Sequence, residues 1–337
     1  MRVSTTLPVS VAAMLLVGGP IACSIVFTDE PCGGPDDTGP DTHDTGPDTD
    51  THDTGPDTGP DTGETGEPLS YDFRAVAVGG QHTCGLTTDG QSICWGDNTD
   101  GQSTPPTGET FVTLGAGKAH TCGVNDSDRV LCWGSDTHGQ LLAPTRPVSR
   151  LWVGGDHNCA LLEVGDIACW GRNDDGQATL PKGQQFVKLS LGAVHSCGIE
   201  LGGAASCWGA DRGGSVSDVP SDLLDDITAG SDHTCGLTPK GAPICWGSAA
   251  QGQTTPPGPE YTTLDAGAQF TCGTVGIGRL ECWGINDQGQ TVPPTGVDWQ
   301  RVDTSVTGKH ACGTYVDGKS GGVLCWGDNT RGQTDVP

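Results

Sequence analysis

The chain has 337 residues, with 42 Asp and Glu against 16 Lys and Arg, a net charge of −26, 55 Gly, 23 Pro and 16 Cys. Leu, Ile, Val and Phe make up roughly 18% of it, a level typical of disordered chains. Nine Trp and sixteen Cys do not belong in such a chain, so disulfides are expected to supplement a thin aliphatic core. The acidity argues against nucleic acid as a partner, which needs clustered Lys and Arg, and the lack of an 18-residue apolar run excludes a multi-pass membrane protein.

Residues 1–22 read as a signal peptide. Arg2 gives a minimal positive start, Leu7 to Val17 a short apolar run, and Gly18 to Ala22 a small-residue cleavage region. Cys23 follows directly and resembles the lipidated cysteine of bacterial lipoproteins, although Pro20 stands where that signal usually has Leu. Lipid anchoring at the outer membrane or cell surface is the expectation, and simple secretion or periplasmic residence the alternative. If Cys23 is lipidated, Cys32 is an odd thiol; if not, the two can pair.

Residues 23–70 read as a disordered tether. From Asp29 to Glu67 the chain is almost wholly Asp, Thr, Gly and Pro, with recurring Asp-Thr-Gly-Pro units and no Lys or Arg. Such a segment has nothing to bury and repels itself, so it stays extended. Asp48, Asp50 and Asp53 are spaced suggestively for calcium, but the central Gly and distal Glu of an EF-hand loop are missing, and no metal or cofactor is expected.

Residues 71–337 repeat seven times. Cys-Trp-Gly begins at Cys94, Cys132, Cys169, Cys207, Cys245, Cys282 and Cys325, and a partner precedes each: Cys84, Cys122, Cys159, Cys197, Cys235, Cys272 and Cys312. The first cysteines are 38, 37, 38, 38, 37 and 40 residues apart. In the first copy, Thr88-Asp89-Gly90 suits a three-residue hairpin loop ending in a left-handed residue. Gly165, Gly203, Gly241 and Gly278 hold that phase, as does Asp128. This register sets Cys84 opposite Cys94 in a non-hydrogen-bonded pair, close enough for a disulfide. Each bridge contributes roughly 2.5–3 kcal/mol in the chain-entropy model. Zinc fails on spacing, because structural sites pair cysteines two to four residues apart.

A further apolar strand precedes each hairpin, and Gly-x-x-x-x-Gly-Gln and a Pro-rich stretch follow it, so each repeat is a sheet of three or four short strands. The first and last copies are as complete as the middle ones, without the polar caps an open solenoid needs. The expected fold is all-β: a closed seven-bladed β-propeller with one disulfide per blade.

The signature Gly-x-x-His-Thr-Cys-x-Leu … Gly-x-x-x-Cys-Trp-Gly-x-Asn-x-x-Gly-Gln, carried in the first copy from Gly79 to Gln102, resembles the regulator of chromosome condensation repeat family in its short bacterial exported form. The resemblance covers about 265 residues and implies a seven-bladed propeller used for protein binding. It carries over no partner-contacting residue.

His82, His120, His157, His195, His233 and His310 precede the first cysteine of their copies, with Phe270 in that phase in copy six. A metal ring would not accept Phe, so these histidines are read as structural, bonding local backbone. The tryptophans of Cys-Trp-Gly are read as core facing the neighbouring blade. Departures from the repeat carry more information about binding. Trp152 stands where other copies have Ala77, Gly115, Ser190, Thr228 and Asp265, and either anchors a partner or fills a gap between blades, the second being favoured. Copy four has Gly214-Ser215 in place of Gly-Gln, followed by Asp218, Asp222, Asp225 and Asp226. Copy seven has a longer hairpin, Val316 to Gly322, with Lys319.

There is no nucleophile elbow, phosphate loop or zinc helix. The expectation is a tethered, monomeric, non-enzymatic propeller outside the cytoplasm, binding an envelope or extracellular protein or glycan through one face. The alternatives are an exported propeller that plugs an enzyme's active site and, less favoured, a propeller lyase or hydrolase. Aromatics clustered on one face would favour binding; His, Asp, Arg or Tyr converging in the central mouth would favour catalysis.

Overall fold

The computed structural model describes residues 71–317 and 321–337. Residues 1–70, with Cys23, Cys32 and the segments expected to be a signal peptide and a tether, and residues 318–320, with Lys319, lie outside the described residues. Those described form twenty-one strands and no helix, arranged as seven three-stranded antiparallel sheets in chain order: a seven-bladed β-propeller. In the first blade the inner strand is Phe73–Val78, the middle strand His82–Thr87 and the outer strand Ser92–Gly96.

The hairpins follow the turn chemistry. Gly90, Gly165, Gly203, Gly241 and Gly278 have φ between 76° and 93°, and Asp128 has φ 58°. That register pairs Cys84 with Cys94 and its equivalents in the other blades, including Cys312 with Cys325. All seven described bridges form, with Cα–Cα distances of 4.0–4.1 Å.

Blades pack through a repeated aromatic pair. Phe73 meets Trp95 with ring centroids 5.9 Å apart, and Phe111 with Trp133, Phe186 with Trp208, Tyr261 with Trp283 and Trp299 with Trp326 do the same. The first ring presses on the middle strand: a Cβ on Gly85 would stand 2.3 Å from Phe73. Blades three and five lack the ring. Leu224 takes its place over Gly236 in blade five, and Val148 does so in blade three, where the facing position holds fully buried Ala160.

The Gly-Gln ending locks each blade to the next. Gln102 Oε1 accepts the Asp100 amide at 2.9 Å, holding its own loop. Its backbone carbonyl receives Trp133 Nε1 at 2.9 Å and Thr121 Oγ1 at 3.1 Å from the following blade. The ring closes by the same device, with Gln333 O taking Trp95 Nε1 and Thr83 Oγ1, both at 2.9 Å. In copy four Ser215 substitutes: its Oγ takes the Arg212 amide at 3.2 Å and its carbonyl takes Trp246 Nε1 at 3.1 Å. That irregularity is absorbed structurally.

Candidate functional site

The histidines form a belt through the ring, and their partners differ from the expected local backbone. Each Nε2 reaches a side chain on the next blade: His82 to Thr121, His120 to Asn158, His157 to Ser196, His195 to Thr234, His233 to Thr271 and His310 to Thr83, at 2.8–3.0 Å. Thr83, Thr121, Ser196 and Thr271 donate their own hydrogen to the preceding blade's Gln carbonyl, so they accept from the imidazole. The proton therefore sits on Nε2 and the rings are neutral. Burial holds His82, His157 and His233 down to about 3 and His195 and His310 to about 4. Phe270 faces fully buried Ala311, so the missing imidazole and the missing hydroxyl coincide. These residues hold blades together; among the described residues no three His, Cys, Asp or Glu side chains gather to hold a metal.

The functional candidate is the central cavity, of about 570 Å³, lined by the inner strands of all seven blades and within the size range of ligand sites. Each inner strand starts beside the hairpin tips, since Phe73 pairs with Thr87, which precedes the turn. The face carrying those tips is called the hairpin face below; the strands end at the opposite, loop face.

The position facing each first cysteine decides the cavity's character. Ala77, Gly115 and Trp152 occupy it in blades one to three, and Ser190, Thr228, Asp265 and Asp303 in blades four to seven. The polar four each accept an inner-strand amide of the next blade: Ser190 from Ala229, Thr228 from Ala266, Asp265 from Thr304 and Asp303 from Val78, at 2.6–2.9 Å. One half of the cavity wall is thus apolar and the other polar. Trp152 lines the apolar half and packs against the Phe186, Leu189 and Trp208 cluster of blade four, so it both fills the seam and shows an edge to the cavity.

Asp265 and Asp303 lie within hydrogen-bonding reach of one another. Desolvation raises Asp265 to about 6, against the pull of its bonds from Thr304. Desolvation, then the charge of Asp265, raises Asp303 well above the ordinary carboxyl range. Burial and the neighbouring carboxyl thus both favour the protonated forms. Two residues earlier on the inner strands, at the hairpin-face mouth, stand Arg301 and the Lys188–Asp226 ion pair joining blades four and five. Arg74 lies beside them, its Nη2 donating to the Phe111 carbonyl at 3.0 Å.

Three blades match the model of the regulator of chromosome condensation (RCC1) repeat, over residues 73–102, 111–140 and 153–177. Those three copies are RCC1 repeats by this match. The fold agrees with solved RCC1-like propellers. The ectodomain of the moss Physcomitrella patens receptor kinase CR4 is 27% identical with TM-score 0.65, covering 77% of this chain and 74% of that one. The CRINKLY WD40 ectodomain of Arabidopsis thaliana ACR4 is 23% identical with TM-score 0.62, covering 77% and 98%. Saccharomyces cerevisiae Prp20p, studied for binding Gsp1p and histones, is 15% identical with TM-score 0.58, covering 77% and 84%. No curated protein sequence matches the chain.

The RCC1 signature itself accounts for the cysteines, tryptophans, histidines and Gly-Gln endings, all of which are consumed in holding blades. The cavity chemistry sits at positions outside it. Asp218, Asp222 and Asp225 of copy four are not part of the cavity lining, and Asp226 enters it through its pair with Lys188. Asp303, Arg301 and Arg74 were not singled out by sequence; comparing the residues in phase with Trp152 across all seven copies would have exposed Asp303. Charged groups do converge in the mouth, but neither His nor Tyr lines the cavity, and Asp265 and Asp303 each accept a backbone amide through one oxygen.

Proposed function

We propose that the chain is an exported, surface-tethered interaction protein whose propeller binds a protein partner through its hairpin face. The carrying observation is the set of bare apolar side chains at the hairpin tips. Val164 of blade three, Leu201 of blade four and Ile277 of blade six are 64%, 82% and 96% exposed, at turns that need only a Gly and tolerate any polar residue beside it. They stand on the face where the cavity opens, and apolar residues so displayed mark contact surfaces. Seven disulfides fit an oxidising compartment outside the cytoplasm, and the plant relatives are receptor ectodomains. The yeast propeller's binding of Gsp1p and histones lends the class of function, not the partner.

The test is affinity capture from cell-envelope extract with the oxidised chain beside a Leu201→Asp, Ile277→Asp variant. A protein retained by the first and lost by the second, with equal thermal stability, supports the reading; equal retention by both overturns the assignment of the face. A second reading, a lyase or hydrolase, is favoured only by the Asp265–Asp303 pair in the cavity. Turnover of any member of a polysaccharide panel, abolished by Asp303→Asn, would establish it in place of the first.

A further inference from the structure

The cavity is blind. In six blades the inner strand reaches the middle strand through a short turn, as in Val78 to Thr83, whereas in blade seven the same link runs from Thr304 to Ala311, two residues longer. The extra residues cross the pore. Thr307 Cγ2 lies 3.2 Å from where a Cβ on Gly155 of blade three would stand, and Thr307 Oγ1 lies 3.1 Å from the same point on Gly80 of blade one. A side chain of blade seven that reaches both spans the axis. Val306 faces into the cavity, and Thr307 and Gly308 line a separate shallow pocket on the loop face. Around this plug runs a belt of backbone bonds between successive blades, Gly80 N to Gly117 O, Lys118 N to Gly155 O and Gly155 N to Gly192 O at 2.8–3.0 Å. The way in is from the hairpin face, where Arg74 and Val112 are exposed.

The charges along this blind pocket are ordered. Arg74, Arg301 and the Lys188–Asp226 pair stand at the mouth. Asp303 lies two residues deeper than Arg301 on the same strand, about 7 Å further in at ~3.4 Å per residue. Asp265 and Asp303 keep part of their surface open to the cavity, and Trp152 with Leu151 and Val153 forms the apolar wall of blade three.

We propose that the pocket binds a ligand with an ammonium or guanidinium at its inner end and a carboxylate at its outer end. The cation meets Asp265 and Asp303, the alkyl stem lies along Trp152, and the carboxylate meets Arg301 and Arg74. Cation–carboxylate contacts away from bulk water and a stem on an aromatic face are both favourable. The chemistry has two sources: a free basic or ω-amino acid, or the carboxyl-terminal Lys or Arg of a polypeptide. The pocket stands independently of the hairpin-tip reading, and small probes test it without a protein partner.

The experiment is calorimetric titration of the oxidised chain with Nα-acetyl-lysine, its methylamide, hexanoate, and a peptide ending in Lys with the same peptide amidated. Nα-acetyl-lysine should bind, with the methylamide and hexanoate about tenfold or more weaker, which is ~1.4 kcal/mol. Asp265→Asn with Asp303→Asn keeps acceptors for the Thr304 and Val78 amides and should weaken binding about tenfold or more by removing the charge of the pair. Arg301→Gln at the exposed mouth should erase the preference for the free carboxylate. A Lys-ending peptide tighter than Nα-acetyl-lysine assigns the chain terminus as the source, and an equal or weaker one assigns the free amino acid. Absence of binding by every probe, or binding unchanged when both Asp265 and Asp303 are replaced by Asn, overturns the proposal. Failure here with capture intact counts against the pocket alone; binding here without a captured partner counts against the hairpin-tip reading alone.

Discussion

Thr83 in the first blade accepts the Nε2 proton of His310 in the last, at 3.0 Å, and passes its own hydrogen to the carbonyl of Gln333. The ring is thus closed by the same relay that joins its other blades, the seam of blades six and seven excepted, with no strand exchanged between the first and last blades. A propeller whose blades are each built from one uninterrupted repeat depends on such side-chain relays for closure.

The relay makes acid the weak point of the fold. Buried neutral histidines have depressed pKa values, about 3 for His82, His157 and His233 and about 4 for His195 and His310, against 6.5 when unfolded. Their contribution is intact above pH 6.5 and is lost as pH falls through that window toward 3, because the unfolded chain takes up protons the fold refuses. The seam between blades six and seven shows a titration-free solution, Phe270 against Ala311. Copying it as His310→Phe with Thr83→Ala should move the acid-unfolding midpoint to lower pH. Stability at pH 7.5 should stay within about 1 kcal/mol, the worth of one hydrogen bond. Circular dichroism along a pH titration reads this out; an unmoved midpoint would show that the histidines do not govern acid unfolding.

The carboxyl pair has the opposite sign. Asp265 is raised from 3.8 to about 6 and Asp303 further, so the folded chain holds protons that the unfolded chain releases. The pair's contribution is complete below pH 3.8 and declines as pH rises through about 6 and beyond. Asp303→Asn should therefore leave stability at pH 4 nearly unchanged and raise it at pH 8, by about 1 kcal/mol or more for each pKa unit relieved. Thermal melts at the two pH values decide it, and a variant less stable at pH 8 would refute the raised pKa of the pair.

The disulfides were legible because two periodicities coincide: the hairpin phase set by Gly90 and its counterparts, and the ten-residue cysteine spacing. The blade-to-blade packing was legible from Cys-Trp-Gly. The histidines' partners were not, since a repeat states which residues recur but not which copy each one touches. His82 and Thr121 are 39 residues apart yet in contact. The plug was signalled by the 40-residue step from Cys272 to Cys312, but length alone does not say that Thr307 turns inward across the axis. Trp152 was visible as an outlier. It packs into the seam with blade four and also lines the cavity, because a residue at the inner edge of a blade meets its neighbour and the cavity together.

Removing one bridge tests how far the core depends on the cysteines. The blade-seven bridge joins Cys312 to Cys325 across thirteen positions and packs on Phe73, Val78 and Trp95 of blade one, so it supports ring closure as well as its own hairpin. Cys312→Ala with Cys325→Ala should cost about 3 kcal/mol, seen as a lower denaturant midpoint. The equivalent change in blade two, Cys122 and Cys132, should cost about the same by loop entropy. A much larger loss in blade seven would locate the first opening of the ring at the seam between the chain's ends.

Ser215 offers a gain rather than a loss. In the other blades a Gln closes the loop, as Gln177 Oε1 does on the Asp175 amide at 2.9 Å. Ser215 Oγ instead accepts from the Arg212 amide at 3.2 Å and donates to the Ala210 carbonyl at 3.4 Å, both weak bonds. The loop from Gly209 to Ser215 has the same length as that from Gly171 to Gln177, and its carbonyl already receives Trp246. Ser215→Gln restores the longer arm to a position where backbone and neighbour are in place, so the Gly213 amide gains an acceptor without rearrangement. The expected stabilisation is about 0.5–1.5 kcal/mol, one buried hydrogen bond, measured as a rise in the denaturant midpoint at constant slope. A destabilised variant would mean that the run from Asp218 to Asp226 needs the shorter residue, and that copy four departs from the repeat for a reason outside its own loop.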